Sequence, residues 1–542
     1  MRFTKGKAAI AAATAMLLAL AGCGADNSAT TEDKGTVITA FGQEPQMTYV
    51  PGNTGGSAGG KVIDLLFSQL TAFDAKGNTV NEVAKSIEPN EDASQYTVTL
   101  KDGWKFTDGT PVTAESFTKA WSYTADVTNA QINASYFSDI VGYDKLQQSG
   151  VASDAQLEGL KVIDDKTFTV ELNAPNSAFP TKVGFSAFAP LPESFYKDPD
   201  AFGEKPVGNG PYKFVEWKHN VGVTLTKNED YKGVAPAKND GVEFRFYNDA
   251  SAAYADVQAG NLDIMESLPA SRLSSFQKDK TVQAFNQAGS GIATFVIPDR
   301  LKHFSGEEGQ LRRQALSMSI DRQQIIDKIL NGTGEPATDF ASPVVPGHSK
   351  DIKGGDVLEY NPEKAKELWA KADAISPWEG PFRIAYNADG GSNKDVFGAV
   401  LNMVKNTLGI ETAANPFPTS QEFGTTVTDR KIEDPYRLSW QPDYPSIEDY
   451  LKPLYASSAA DGKGMNEGDY KNPEYDKLLD QAAANGDTDE QIKLYQQAEE
   501  ILMQDLPAIP LYYTSANGVA AQGVKNVAFN WKNIPIYQNI TK

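Results

Sequence analysis

Two rhythms of apolar and polar positions run along the chain. Tyr96-Thr97-Val98-Thr99-Leu100 and Thr167-Phe168-Thr169-Val170-Glu171-Leu172 alternate with a period of two. Successive side chains of an extended backbone point to opposite faces, so both runs predict half-buried strands. Between Asp489 and Asp505, Ile492, Tyr495, Ala498, Ile501 and Leu502 fall near helical spacing, predicting a helix that Pro507 stops. The first half is strand-rich, and the clearer helices lie in the second. Asn361-Pro362-Glu363 and Asn472-Pro473-Glu474 each place Asn at a helix cap and Pro in the first turn, where its missing N–H costs nothing. At Asp321, Gln324 supplies a capping box, and Ile320 and Ile325 a hydrophobic staple, for a helix running to Gly332. The Gly-rich stretch from Pro51 to Gly60 reads as a loop, and no repeat recurs at a fixed period.

The beginning of the chain changes the picture by fixing a compartment. Arg2, Lys5 and Lys7 precede an apolar stretch from Ala8 to Ala21, the pattern of an export signal and too short for a membrane span. It ends in Leu20-Ala21-Gly22-Cys23, which resembles the bacterial lipobox. Residues 1–22 are therefore expected to be a lipoprotein signal peptide, with lipidation at Cys23, and residues 23–35 a lipidated tether rich in Ser, Thr, Asp and Gly. The expected location is the outer face of the cytoplasmic membrane, held by acyl chains worth about 0.8 kcal/mol per buried methylene. Cys23 is the only cysteine in the sequence, so the body has no internal disulfide and its stability must come from burial.

Composition then excludes classes. A hydrophobic content of 40% with 10% aromatic residues suits a packed protein large enough for two to four cores. A net charge of -21 argues against nucleic acid, whose phosphates need a basic surface. His219, His303 and His348 lack ligand spacing, so no metal site is expected. The sequence contains no G-x-S-x-G elbow, H-E-x-x-H pair or Walker loop. Gly55 to Gly60 lacks the Lys-Ser/Thr of a phosphate loop. With 71 acidic residues, carboxylate pairs are too common to single out an acid/base couple. Non-covalent binding, without catalysis or cofactor, is the class that remains in front.

Six segments, in order, resemble the peptide/nickel/oligopeptide-binding family of extracytoplasmic solute receptors that serve ABC importers. They are Lys101 to Ser116 (KDGWKFTDGTPVTAES), Gly208-Asn209-Gly210-Pro211-Tyr212-Lys213-Phe214, Asn228 to Gly233, Ala259 to Ile264, Arg312 to Arg322, and Leu506 to Tyr512. Read as residues alone, these motifs make turns and extended segments, such as Asp108-Gly109 before Pro111. The resemblance implies an α/β, periplasmic-binding-protein-like fold of two lobes with a hinge and a ligand cleft. Lobe one would comprise 36–67 with 193–295 and 512–542, carrying an extra subdomain at 68–192, and lobe two 296–511. The implied partners are a short peptide ligand and ABC permease subunits driven by a separate ATPase, with the receptor itself a monomer.

The ligand class turns on Arg437-Leu438-Ser439-Trp440-Gln441-Pro442-Asp443-Tyr444. In peptide-binding relatives a Trp followed three residues later by Asp, with Tyr next, presents the carboxylate that meets the peptide's α-ammonium group, which assigns that role to Asp443 and a cleft-wall position to Trp440. By the same resemblance Ser439 and Gln441 offer main-chain groups to an extended peptide, Gly56 and Ser57 flank its other side, and Arg437 meets a ligand carboxylate or an internal acid. Near Asn387 oligopeptide-binding relatives tend to carry a His; Asn393 stands in the corresponding place here. The rival readings are a receptor for an oligosaccharide or metal chelate on the same fold, a peptide sensor or adhesin that feeds no transporter, and a surface hydrolase.

Overall fold

The computed structural model describes residues 36–148, 150–152 and 155–542; the signal peptide, Cys23 and the tether lie outside the described residues. An eleven-stranded sheet is built around two long antiparallel strands, Gln283–Val296 and Ala508–Ala520. On one side follow Tyr436–Trp440, Phe382–Asn387 and Thr412–Phe417; on the other follow Ile264–Met265, Val37–Gly42, Gly241–Phe246, Gly222–Lys227 and Tyr212–Lys218; the short strand Glu335–Pro336 pairs with Ala508–Ala520 off this path. Two hydrophobic cores flank the long pair. One gathers residues from Ile38 to Val282 and from Val519 to Ile540, and the other runs from Ile292 to Tyr513.

The cores part where the long strands lose register. Gln283 to Ala288 pair with Ala520 to Ser515, Ile292 to Val296 pair with Tyr513 to Ala508, and residues 289–291 fall between. The sequence there is Gly289-Ser290-Gly291. A Cβ on Gly289 would lie 2.7 Å from the Thr514 carbonyl oxygen, and one on Gly291 2.5 Å from Thr514 Oγ1, so this close crossing excludes a side chain at either position. The carbonyls freed by the break are not left bare. Ser342 Oγ donates to the Gly289 oxygen at 2.6 Å, and the Tyr450 hydroxyl to that of Ser290 at 2.5 Å. The chain divisions expected at 295/296 and 511/512 fall within these same two strands.

Within 68–192 a four-stranded antiparallel sheet has the order Ala84–Pro89, Gln95–Leu100, Thr167–Glu171, Leu160–Asp164. Tyr96, Val98 and Leu100 are buried, as are Phe168 and Val170, as the alternation predicts. Trp121 is fully buried behind them, ringed by Phe117, Phe137, Phe168 and Phe188, and its indole N–H donates to the Phe188 carbonyl at 2.9 Å. These residues share one hydrophobic core with Ile38 to Leu66 and Val519 to Ile540.

The helix starts follow their caps. Asn361 accepts from the Lys364 N–H ahead of Pro362–Ile375, Asn472 from those of Glu474 and Tyr475 ahead of Pro473–Ala483, and Asp487 opens Thr488–Asp505. Asp321 accepts from the Gln324 N–H with Ile320 and Ile325 both buried, but the helix covers only Arg322–Lys328. It ends short of Gly332 because the Leu330 and Gly332 N–H groups turn back onto Ile325 and Ile326. A second departure is the Gly-rich stretch. Gly56–Leu66 is a helix, since burial of Val62, Ile63, Leu65 and Leu66 outweighs the cost of its glycines.

The six motifs hold this scaffold together across distance. The Thr107 N–H donates to the Gly208 carbonyl at 2.8 Å. Asn209 clamps both the N–H and the carbonyl of Ser68 at 2.9 Å. Asn228 Nδ2 caps the Gly210 carbonyl at 2.8 Å. In the second lobe, buried Arg322 donates to the Pro510 and Leu358 carbonyls and to Ser317 Oγ, at 2.8, 2.5 and 2.9 Å. Burial brings its pKa down to about 9, still above neutrality.

Candidate functional site

The strand Tyr436–Trp440 pairs along one edge with Gln283–Val296, from Val296 opposite Tyr436 to Ile292 opposite Trp440. Its other edge meets Phe382–Asn387 only at Ala385 opposite Tyr436. From Arg437 to Trp440 that outer edge has no strand partner among the described residues. Its backbone N–H and C=O groups are thus open to an added strand. The Trp440 indole N–H donates to the Asp449 carbonyl at 2.8 Å, which fixes the ring. Gln441 reaches across to the first lobe, donating to the Lys532 carbonyl at 3.1 Å.

Asp443 stands between two cavities, of about 570 Å³ and 520 Å³, that share Tyr136, Gln441 and Asp443 as lining. The first is walled by Asp139, Lys182, Glu448, Asp449 and Lys452. The second lies against Gly56, Ser57, Asp64 and Lys532. Residues 136, 443 and 532 therefore meet in one cleft although they lie far apart in the sequence.

The charges in this cleft are unevenly matched. Lys182 pairs with Asp139 at 2.6 Å. Burial opposes the charge on Asp139, yet Lys182 and Lys452 outweigh it and bring the carboxyl down to about 2. Lys532 lies 3.6 Å from Asp64 and over the rings of Phe185 and Trp531, each 5.4 Å away. Asp443 has no cation within 4 Å among the described residues. Burial pushes its carboxyl up from the ordinary value, against the Tyr136 hydroxyl and the fields of Lys532 and Lys182, which favour the charged form.

Arg437 faces the reverse situation. Burial pulls its pKa down, and among the described residues it makes no ion pair within 4 Å. Its Nη1 donates to Asn387 Oδ1 at 3.2 Å and its Nη2 to Ser439 Oγ at 3.0 Å. Asn393, in the first turn of the helix Asn393–Leu408, donates to the same Asn387 Oδ1 at 3.0 Å. Asn387 is itself buried and held by Asp389 and Ser420. The helix Gly56–Leu66 begins without a side-chain cap, and Gly56, at φ 72°, requires glycine.

The structure thus groups Arg437, Ser439 and Asn393 around Asn387. It sets Gln441 and Asp443 opposite Gly56 and Ser57 in the second cavity, and Trp440 on the wall of the first. Sequence reasoning missed Tyr136, Asn387, Asp449 and Lys532. Asp449 did carry a signal: Glu448 and Asp449 are acids in the first turn of Glu448–Tyr455, a pattern that helix-dipole complementarity alone explains. Among the described residues no cluster of three or more His, Cys, Asp or Glu is placed to hold a metal ion, and no helix is long and apolar enough to cross a membrane.

Comparison with known proteins agrees with this architecture. Residues 78–462 match the profile of the bacterial extracellular solute-binding proteins, family 5, and the chain belongs to that family. It is therefore a solute-binding receptor of the two-lobed, periplasmic-binding-protein-like fold. The chain is 26% identical over 526 residues to the oligopeptide-binding protein OppA of Bacillus subtilis, covering 93% of each. It is 30% identical over 475 residues to the periplasmic murein peptide-binding protein MppA of Escherichia coli, covering 84% of this chain and 83% of that one. A solved structure of the murein tripeptide binding protein MppA in its unliganded open form superposes with a TM-score of 0.80 at 25% identity, over 94% of this chain and 98% of that one.

Proposed function

We propose that this protein captures short peptides outside the cell by their free amino end and backbone, and delivers them to an ABC permease powered by a separate ATPase. The observation that carries the reading is a series along one segment: Asp443, an acid lining the cleft with no cation within 4 Å among the described residues, and Arg437, a guanidinium with no carboxylate within 4 Å among them, with an unpaired strand edge between the two. A zwitterion in extended form complements all three. Its ammonium group neutralises Asp443, its backbone adds to the edge of Arg437–Trp440, and its carboxylate meets the Arg437 fork. Main-chain pairing gives affinity without reading side chains. Ligands named for OppA and MppA support the same class.

Closure of the lobes about the break at residues 289–291 completes the site, because the ligand would touch Gly56 and Ser57 on one side and Asp443 on the other. The receptor works as a monomer that binds without catalysis, lipid-anchored through Cys23 at the outer face of the cytoplasmic membrane. Native mass spectrometry of residues 24–542, purified without denaturant, followed by calorimetry with the released ligand, tests the reading. Co-purified short peptides that bind about 2–5 kcal/mol more weakly to Asp443→Ala, and lose affinity when their amino ends are acetylated, are the expected result. A sugar, a metal complex or a cleaved product in the cleft would overturn it.

A further inference from the structure

Asp449 is the group in the cleft that the function described above leaves unused. It is 5% exposed. Its Oδ2 accepts the Asp443 N–H at 2.6 Å, and its carbonyl oxygen accepts the Trp440 indole N–H at 2.8 Å. One residue therefore sets both the backbone that presents Asp443 and the ring beside it.

Most charged groups around the two acids are already spoken for, and Lys463, which lines the same cavity, makes no ion pair with either acid among the described residues. On the same helix, Lys452 lies 3.8 Å from Glu448, whose other oxygen takes the Tyr444 hydroxyl at 2.5 Å. From the inserted subdomain, Lys182 is committed to Asp139 at 2.6 Å, and Tyr136 contributes only a hydroxyl. From the C-terminal turn, Lys532 has Asp64 at 3.6 Å. The remaining neighbour, Tyr450, donates its hydroxyl to the Ser290 carbonyl. Asp443 and Asp449 are left adjacent, without an ion pair among the described residues.

Resting on the amine reading of Asp443, we propose that Asp449 is a positioning residue that shares one proton with Asp443, and that entry of a ligand ammonium expels this proton. Two neighbouring carboxyls in a desolvated wall ionise together only at high cost, so the pair keeps a proton in the empty cleft. Burial, with the fields of Asp443 and Glu448, pushes Asp449 well above its ordinary value, against the Asp443 N–H and the field of Lys182, which favour the charged form. The ammonium enters with its three protons and keeps them. The O–H bond of the carboxylic acid breaks, its electrons stay on the carboxylate, and the proton passes to the buffer.

The sign of the pH dependence follows. The pair loses its proton more easily with ligand bound than without, so affinity rises with pH between the bound and the empty titration points. At full release the rise is about tenfold per pH unit. It turns down once the peptide's own amine deprotonates, near about pH 8.

Tri-alanine titrated calorimetrically into residues 24–542, in two buffers of different ionisation enthalpy, reads the released proton directly. The wild type should release up to one proton on the rising limb. Asp449→Asn should release none, and its affinity should no longer climb with pH. Infrared titration of the empty protein supplies a readout independent of affinity: a protonated-carboxyl band persisting well above the ordinary carboxylate range, lost in Asp449→Asn. A buffer-independent enthalpy in the wild type, an unchanged proton release in the variant, or absence of that band would overturn the proposal while Asp443→Ala still weakens tri-alanine. Tri-alanine binding indifferent to Asp443→Ala would instead remove the amine reading itself.

Discussion

The Gly208–Asn228 clamp and the Arg437–Asp449 wall treat polar groups in opposite ways. In the clamp every named group has its partner: Asn209 satisfies both main-chain atoms of Ser68, and Asn228 caps Gly210. Buried Arg322 in the second lobe is equally saturated, by carbonyls and Ser317. In the wall, among the described residues, an acid has no cation and a guanidinium no acid within 4 Å, and a strand edge lacks a strand. Desolvated groups without partners are costly, and a fold retains them where a ligand supplies the missing half. Between these two regions, the clamp is saturated and the wall keeps groups that a ligand can complete.

The comparison breaks if scaffold changes alter binding alone or wall changes alter folding alone. Gly208→Ala should have the largest effect, costing about 4 kcal/mol or more in urea unfolding, because its Cβ would lie 1.9 Å from the Leu66 carbonyl oxygen and only backbone movement relieves that. Arg322→Met should cost about 3 kcal/mol in the same measurement, since the Pro510 and Leu358 carbonyls lose their donor. Arg437→Met should leave the unfolding midpoint intact and weaken peptide binding by about 1–2 kcal/mol, with amidated peptides no longer distinguished from free acids. Asp443→Asn should sharpen the contrast by its sign. A carboxyl with a raised folded-state pKa costs stability above its unfolded value of about 3.9. The variant should therefore unfold at higher urea than wild type at pH 7, an advantage that disappears below pH 3.9. At the small end, Glu363→Gln, which removes an exposed ion pair with Lys366, should shift stability by under about 0.5 kcal/mol and binding not at all.

Much of the scaffold was legible because its determinants are local. Asn361, Asn472 and Asp321 announce their helices within four residues, and the alternation at 96–100 carries its own burial pattern. The glycines at 55–60 misled, because the pull that makes them helical comes from Val62 to Leu66 packing against distant strands. The cleft was legible only where a contiguous motif spelled it, from Arg437 to Asp443. Tyr136, Asn387 and Lys532 reach it from other parts of the chain, and no spacing within a single sequence encodes such a meeting. Asp449 was hidden by an innocent explanation, the acid-rich first turn of its own helix.

The two long central strands have an engineering consequence. The second lobe is entered and left through paired residues, Ile292 opposite Tyr513, whose α-carbons sit about 5 Å apart across the ladder. The segment from 292 to 513, with its own core, is thus spliced into the first lobe as a cassette whose two seams lie side by side. A recombination event, or a protein engineer, exchanging it at Gly289-Ser290-Gly291 and Thr514 would transplant Arg437, Asp443 and Asp449 together. The half of the cleft that carries Gly56 and Lys532 would stay behind in the host.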